Sequence, residues 1–253
     1  MTFLRSVVVY ISTLFWSLFF WAAALPAALF TVFLSRRARS ALFRTLLGWF
    51  GLLTVRVAWG PFFKVCYEPL ADGENEQTPC VYILNHRSAI DAFLVALLRS
   101  RCVQTVNGWP LRVPVLGTVA KLAGYLDITH WGYEELLKNA AEAVAGGDSI
   151  VAFPEGTRSE SRNMNVFHSG VFRLAMDLKL PVNIMCIAGN EFMPDRKFRF
   201  RMFGKVLVRR IPGVSADEVS QCSSAFVLKK MVFNKMKEEL VRMDGQLDDE
   251  KTL

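Results

Sequence analysis

The stretch Val81-Tyr82-Ile83-Leu84-Asn85-His86-Arg87-Ser88-Ala89-Ile90-Asp91 decides how this chain is read. Its first four residues are apolar and β-rich, with no polar face, which predicts a strand buried on both sides. The run breaks at Asn85-His86. Ile90, Phe93, Leu94, Leu97 and Leu98 then recur at helical spacing, predicting a helix over 89–98. Ser88 stands where a helix cap is expected, and Asp91 falls in the first turn three residues later. On one continuous helix His86 and Asp91 would point about 140° apart. With the helix starting between them, the strand-end imidazole and the first-turn carboxylate fall side by side. Such a carboxylate fixes the imidazole tautomer and stabilises its charged form, which makes the imidazole a base. Plainer readings stand beside this one: Asp91 as a helix cap, His86 as a hydrogen-bonded residue closing a strand. The position favours function, because α/β sheets keep ligands just beyond the C-terminal ends of their strands.

A second strand end has similar character. Ser149-Ile150-Val151-Ala152-Phe153 stops at Pro154-Glu155-Gly156-Thr157-Arg158-Ser159. Pro and Gly force a turn, where Thr157, Ser159 and backbone N–H groups face a ligand. Arg158 offers a planar fork of donors for a phosphate or carboxylate. Taken alone, the loop reads equally as a surface turn with an arginine. Its company is what counts: one turn holds a base and the other an anion clamp.

Working outward, strands over 81–84, 102–106, 125–128, 149–153 and 182–187 alternate with helices over 89–98, 115–122, 133–145 and 169–178. This predicts an α/β fold, a layered domain with a largely parallel mixed sheet flanked by helices. Residues 197–201 alternate as an exposed strand, and 225–243 read as a closing helix. A turn-rich segment over 68–79 divides residues 1–67, an apolar membrane-anchoring segment, from an α/β domain over 68–253.

No charge occurs between Arg5 and Arg36. The apolar run over 7–33 exceeds the ~20 residues that cross a bilayer. A cleaved signal peptide has a shorter apolar region, of about 7–15 residues, so the segment is expected to be retained. Pro26 bends or ends it. The cluster Arg36, Arg37, Arg39 and Arg44 is expected on the cytoplasmic side. Residues 41–65, rich in Trp and Phe, suit the membrane–water boundary. The segment reads as one spanning helix followed by an interfacial helix, or as a hairpin lying in one leaflet; helices of a soluble core are the plain alternative.

The whole chain, 253 residues at 52% hydrophobic, carries a formal charge of +7, which implies an anionic partner. The basic residues gather beside apolar segments and form no nucleic-acid module, so an acidic membrane face fits better than nucleic acid. Five scattered cysteines without a C-x-x-C indicate free thiols and no zinc site. No metal-ligand cluster or nucleotide loop implies a cofactor.

Asn85 to Asp91, followed some sixty residues later by Phe153 to Ser159, resembles the 1-acylglycerol-3-phosphate acyltransferase (lysophosphatidic acid acyltransferase) family. The resemblance runs over 81–187 and includes the apolar N-terminus. It implies that His86 is the general base, that Asp91 supports it, and that Glu155, Gly156, Thr157 and Arg158 bind the acceptor's phosphate. Pro114-Val115-Leu116-Gly117 resembles the block between these motifs, which implies a substrate-binding place for Gly117. That block usually ends in an Arg, and here His130 stands there. Leu180-Pro181-Val182 resembles the last block, with Asn183 where a small or apolar residue is usual. His130 and His168 are expected as surface or polar-core residues.

The implied reaction moves an acyl group from a thioester, acyl-CoA or acyl carrier protein, to the free hydroxyl of a lysophospholipid at the cytoplasmic face of the membrane. The preferred acceptor is 1-acylglycerol-3-phosphate, giving phosphatidic acid. No G-x-S-x-G elbow and no His-paired Cys point to a covalent acyl-enzyme. Three alternatives stay open: an acyltransferase for another lyso-lipid acceptor, a membrane-tethered lipid-binding protein, and a hydrolase in which His86 activates water on a phospholipid.

Overall fold

Alternate residues of a strand face opposite ways, and a strand covered on both faces must be apolar throughout. Residues 81–84 meet that condition, and a sheet is built around them. The computed structural model describes residues 2–70, 79–98, 100–108, 110–112, 116–195, 197–201 and 204–252. In chain order the elements are helices α1 (Thr2–Phe30) and α2 (Arg36–Leu53), strands β1 (Lys64–Glu68) and β2 (Val81–Leu84), and helix α3 (Asp91–Leu94). Then come β3 (Cys102–Val106), α4 (Leu116–Leu122), β4 (Leu126–Asp127), α5 (Tyr133–Ala145), β5 (Ser149–Ala152) and α6 (Gly170–Asp177). The chain closes with β6 (Val182–Ala188), β7 (Lys205–Val214), α7 (Ala216–Gln221) and α8 (Ala225–Thr252).

The seven strands lie in the order β1-β7-β6-β2-β5-β3-β4. Every pairing is parallel except β6 with β7. The fold is therefore the expected α/β layered one, with a mixed, largely parallel sheet. β2 is fully buried between β5 and β6. Val81 and Ile83 face a core closed by α5, α6, α7 and α8, whereas Tyr82 and Leu84 face a second core with α1 and α3.

Three expectations shift. The exposed strand over 197–201 does not form. The Asp195 carboxylate accepts the amides of Lys197 (2.8 Å) and Arg199 (3.0 Å), and Phe198 takes a left-handed φ of 56°, which bends the chain into a turn. β7 runs instead over ten residues that Pro212, Gly213, Arg209 and Arg210 disguise in the sequence. The anchor's limit at residue 67 falls inside β1, and Val55, Ala58, Trp59 and Phe63 belong to the second core. The helix over 115–122 begins at Leu116, with Pro114 and Val115 outside the described residues, as is most of the turn-rich segment over 68–79.

The N-terminal helices are long and apolar enough to cross a membrane by length and composition. One face of α1 packs on the domain: Ser12 donates to the Ala58 carbonyl (3.0 Å), and Trp59 donates to the Thr13 hydroxyl (2.8 Å). Its large apolar side chains point the other way, Phe3, Leu4, Ile11, Leu14, Phe15, Leu18 and Phe19 being exposed. That is the reverse of a water-soluble amphipathic helix. The arginine cluster divides. Arg37 reaches the Ala145 carbonyl (3.1 Å), and buried Arg44 bonds the Ala123 carbonyl (2.7 Å) and Asp148 (2.7 Å). Arg44 thus ties α2 to the domain.

Arg44→Leu should therefore lower stability by about 2–4 kcal/mol, because Asp148 stays buried with only the half-exposed Arg101 for a partner. Adding Asp148→Leu should recover most of the loss. Urea unfolding in detergent micelles measures both, and a double variant no better than the single one would contradict this account.

Candidate active site

Parallel pairing brings the C-terminal ends of β2, β5 and β6 side by side, and the polar residues that follow them meet there. From β2, His86 projects its Nδ1 to 2.8 Å from Asp91 Oδ2, so the predicted pair forms. Asp91 is fully buried, and its helix does not start as expected. Ile90 precedes the first turn, and the Ser88 amide donates to Asp91 Oδ2 (2.8 Å). The carboxylate caps the turn, while the Ser88 hydroxyl donates to the Met193 carbonyl. From β6, Asn190 donates its amide to Asp91 Oδ1. Asp91 thus accepts from N–H groups at both oxygens, as an ionised carboxylate does, which makes His86 Nδ1 the donor and leaves Nε2 as the basic nitrogen. The His86 side chain is 21% exposed, and its ring lies 4.6 Å from that of Phe153.

From β5, Glu155 takes the His86 amide at Oε1 (2.6 Å) and the Asn165 amide at Oε2 (2.7 Å). Burial pushes its carboxyl above the ordinary value, against those two amides, which favour the charged form. With both oxygens bonded to backbone amides and 3% of the residue exposed, Glu155 braces the two turns against each other. The Ser159 amide closes the same junction on the His86 carbonyl (2.8 Å). Gly156 turns with φ +70°, its carbonyl held by Asn107 (2.7 Å), and the His168 amide bonds the Pro154 carbonyl (2.8 Å). Thr157 is exposed. The Arg158 side chain is 35% exposed and only loosely paired to Glu160 (3.9 Å), so its guanidinium is open to an anion.

At Gly117 a Cβ would lie 2.2 Å from the Leu111 carbonyl oxygen, so packing by itself requires glycine there. His130 forms a second imidazole–carboxylate pair with Asp127 (2.8 Å). Burial works to raise the Asp127 carboxyl, but the amides of Thr129 and His130 outweigh it and hold the group below its ordinary value. Arg112, from the turn before α4, reaches His130 Nε2 (3.0 Å), so a guanidinium comes to this place from another element.

Sequence reasoning missed Asn190 and the partners of Arg87. Asn190 carries a signal it did not use, a polar residue just past a buried strand in Cys186-Ile187-Ala188-Gly189-Asn190. Arg87 is fully buried, bonding Glu191 (2.6 Å), Asp244 at both oxygens (2.8 Å each) and the Arg162 carbonyl (2.7 Å). It locks α8 onto the base-bearing turn. The described residues hold no cluster that could ligate a metal.

Residues 68–188 match the family model described as Acyltransferase. A chloroplastic 1-acyl-sn-glycerol-3-phosphate acyltransferase of Brassica napus is 29% identical over 164 residues, 62% of this chain and 48% of that protein. The mouse 1-acyl-sn-glycerol-3-phosphate acyltransferase alpha is 30% identical over 145 residues, 55% and 51% of the two chains. The chain spans about half the length of these curated relatives. The crystal structure of PlsC, the 1-acyl-sn-glycerophosphate acyltransferase of Thermotoga maritima, shares the fold, with a TM-score of 0.70 at 21% identity over 94% of this chain and 97% of that one. In motif, sequence and fold the chain is thus similar to the 1-acyl-sn-glycerol-3-phosphate acyltransferases, with the match to the family model confined to residues 68–188.

Proposed function

We propose that the protein is a membrane-bound acyltransferase that moves a fatty acyl group from a thioester to the free hydroxyl of 1-acylglycerol-3-phosphate, giving phosphatidic acid. The observation that carries this reading is the His86–Asp91 pair, on a turn whose backbone is bonded to the turn bearing Arg158. The relatives' names support the acceptor. The donor is acyl-CoA or acyl carrier protein, and no cofactor is needed.

An alcohol is a weak nucleophile unless its proton leaves as it attacks. His86 Nε2 takes that proton while the hydroxyl oxygen bonds the thioester carbonyl carbon. The carbon–sulfur bond then breaks, the thiolate departs, and the imidazolium gives up its proton. Asp91, bonded to Nδ1, stabilises that imidazolium. Arg158 grips the acceptor phosphate and so holds the hydroxyl at Nε2. The exposed apolar face of α1 supports immersion of the N-terminal hairpin in one leaflet, which brings both lipid substrates to the site. The four-arginine cluster contributes less to membrane contact than its sequence suggests, because Arg44 faces inward.

Initial rates with acyl-CoA and lysophosphatidic acid in detergent micelles test this directly. His86→Ala should lower kcat about 10²–10⁴-fold with folding intact by circular dichroism. Wild-type protein should leave thioester unconsumed when the acceptor is omitted, and steady hydrolysis there would make it a hydrolase.

Arg158 and Glu155 should separate kinetically. Arg158→Lys keeps the charge but loses the fork, so the acceptor KM should rise about 5–50-fold with the donor KM unchanged. Glu155→Gln should instead lower kcat and cost about 1–3 kcal/mol of stability, since one backbone amide loses its acceptor. A rise confined to the acceptor KM in Glu155→Gln would restore Glu155 as a substrate ligand.

Asn190→Leu removes one of the three donors to Asp91. A loss of about tenfold in kcat, roughly 1.4 kcal/mol, is expected, with substrate KM values unchanged. Full activity in this variant would show that Asn190 does not orient the pair.

A further inference from the structure

The connection between β6 and β7 reaches the turn of His86 through Asn190 and Met193, and beyond them it carries a charge pattern of its own. Residues 195–201 read Asp-Arg-Lys-Phe-Arg-Phe-Arg, four cations to one carboxylate. Asp195 knots them. Beyond the amides of Lys197 and Arg199, it takes the Arg201 Nε (2.6 Å) and an Arg199 guanidinium nitrogen (3.1 Å), and its own amide bonds the Arg199 carbonyl (2.9 Å). At the tip Phe198 sits at φ 56°, a conformation costly for a bulky side chain, and presents 71% of its surface. Phe192 is 40% exposed beside it, with its carbonyl bonded to the Arg201 amide (3.1 Å). A water-exposed turn gains nothing by displaying a phenyl ring on a strained backbone beside the exposed Lys197, in a turn where two arginines already share one carboxylate. The pattern of an aromatic tip ringed by Lys and Arg is that of a membrane interface.

Position supports the same conclusion. The turn docks on the first turns of α1: the Phe200 amide donates to Ser6 Oγ (2.9 Å), and the Tyr10 ring meets Phe200 edge-on at 5.4 Å. Phe3 and Leu4, one helical turn before Ser6, are 75% and 68% exposed. The turn is therefore anchored to the helix that carries the exposed apolar face. Glu160, two residues past Arg158, lines one pocket with Phe192, Asp195, Lys197 and Arg201, so the turn borders the Arg158 loop.

We propose that the turn over 192–201 is a second lipid-contacting element. It inserts Phe198 at headgroup level and binds anionic phospholipid through Lys197 and its neighbouring arginines, in the leaflet that holds α1. It deepens the membrane-bound reading above and rests on it. Two contacts on one leaflet, the helix and the turn, fix the tilt of the domain and hold the Arg158 loop at the lipid surface. A negatively charged leaflet attracts the exposed Lys197 and adds to the counter-charge that Asp195 supplies alone to the two arginines.

Hydrogen exchange read by mass spectrometry tests this on the full chain in three settings: detergent micelles, phosphatidylcholine nanodiscs, and nanodiscs with about 30 mol % phosphatidylglycerol. Peptides covering 192–201 should exchange several-fold more slowly in the anionic discs than in the other two. Lys197→Gln combined with Phe198→Ser should abolish that difference, while α1 peptides remain protected in both kinds of disc. Equal exchange of the turn in all three settings, with α1 protected, overturns the proposal and leaves the membrane-bound reading standing. Unprotected α1 peptides in discs would overturn both. Slowing by inorganic phosphate in micelles would make the turn a general anion site and would also overturn it.

Discussion

β2 is paired in parallel on both sides, with β5 and with β6, and that constraint aligns three strand ends at one edge of the sheet. Each end releases the chain from its ladder at the same height, so the residue after each strand must find new hydrogen-bond partners. They find one another. The His86 amide goes to Glu155, the Ser159 amide to the His86 carbonyl, and Asn190 to Asp91. Asn85 adds a further clasp, bonding both the carbonyl (2.9 Å) and the amide (2.8 Å) of Ile187. A reactive imidazole needs its orientation set before substrate arrives, and these bonds set it through backbone as much as side chain.

Buried charge is used to the same end. Arg87 is wholly inside, which is tolerable only because two carboxylates and a carbonyl surround its guanidinium. The arrangement stakes the terminal helix, through Asp244, on the turn that carries the base. Arg44 and Asp148 do the equivalent job for the N-terminal hairpin. Both ends of the chain are thus pinned to the sheet by ion pairs whose loss leaves a partner unmatched, which makes the domain less separable from its apolar N-terminus than composition suggests.

The family motif also divides into unlike roles. Arg158 is open, Thr157 is exposed, and Glu155 is spent on backbone amides. Adjacent residues in one conserved-looking turn therefore do different work, one reaching outward and one holding the turn in place. Gly117 likewise answers to the approach of the Leu111 carbonyl. Near His130 the guanidinium belongs to Arg112, eighteen residues earlier in the chain.

By itself the sequence determined what depends on local pattern. The continuous apolar run over 81–84 dictated a buried strand, its abrupt polar end located the imidazole, and helix–strand alternation implied a largely parallel sheet, because parallel neighbours need crossovers. The uncharged run over 7–33 marked the apolar N-terminus. What only the tertiary structure decided depends on long-range pairing. Asn190 reaches Asp91 from ninety-nine positions away, β7 hides behind Pro212 and Gly213, and the alternating residues 197–201 are bent by a single carboxylate. The arginine cluster was visible, but not which member would turn inward. Periodicity records which face of a segment is apolar; it carries no information on which distant polar group will meet that face, and the site is made of such meetings.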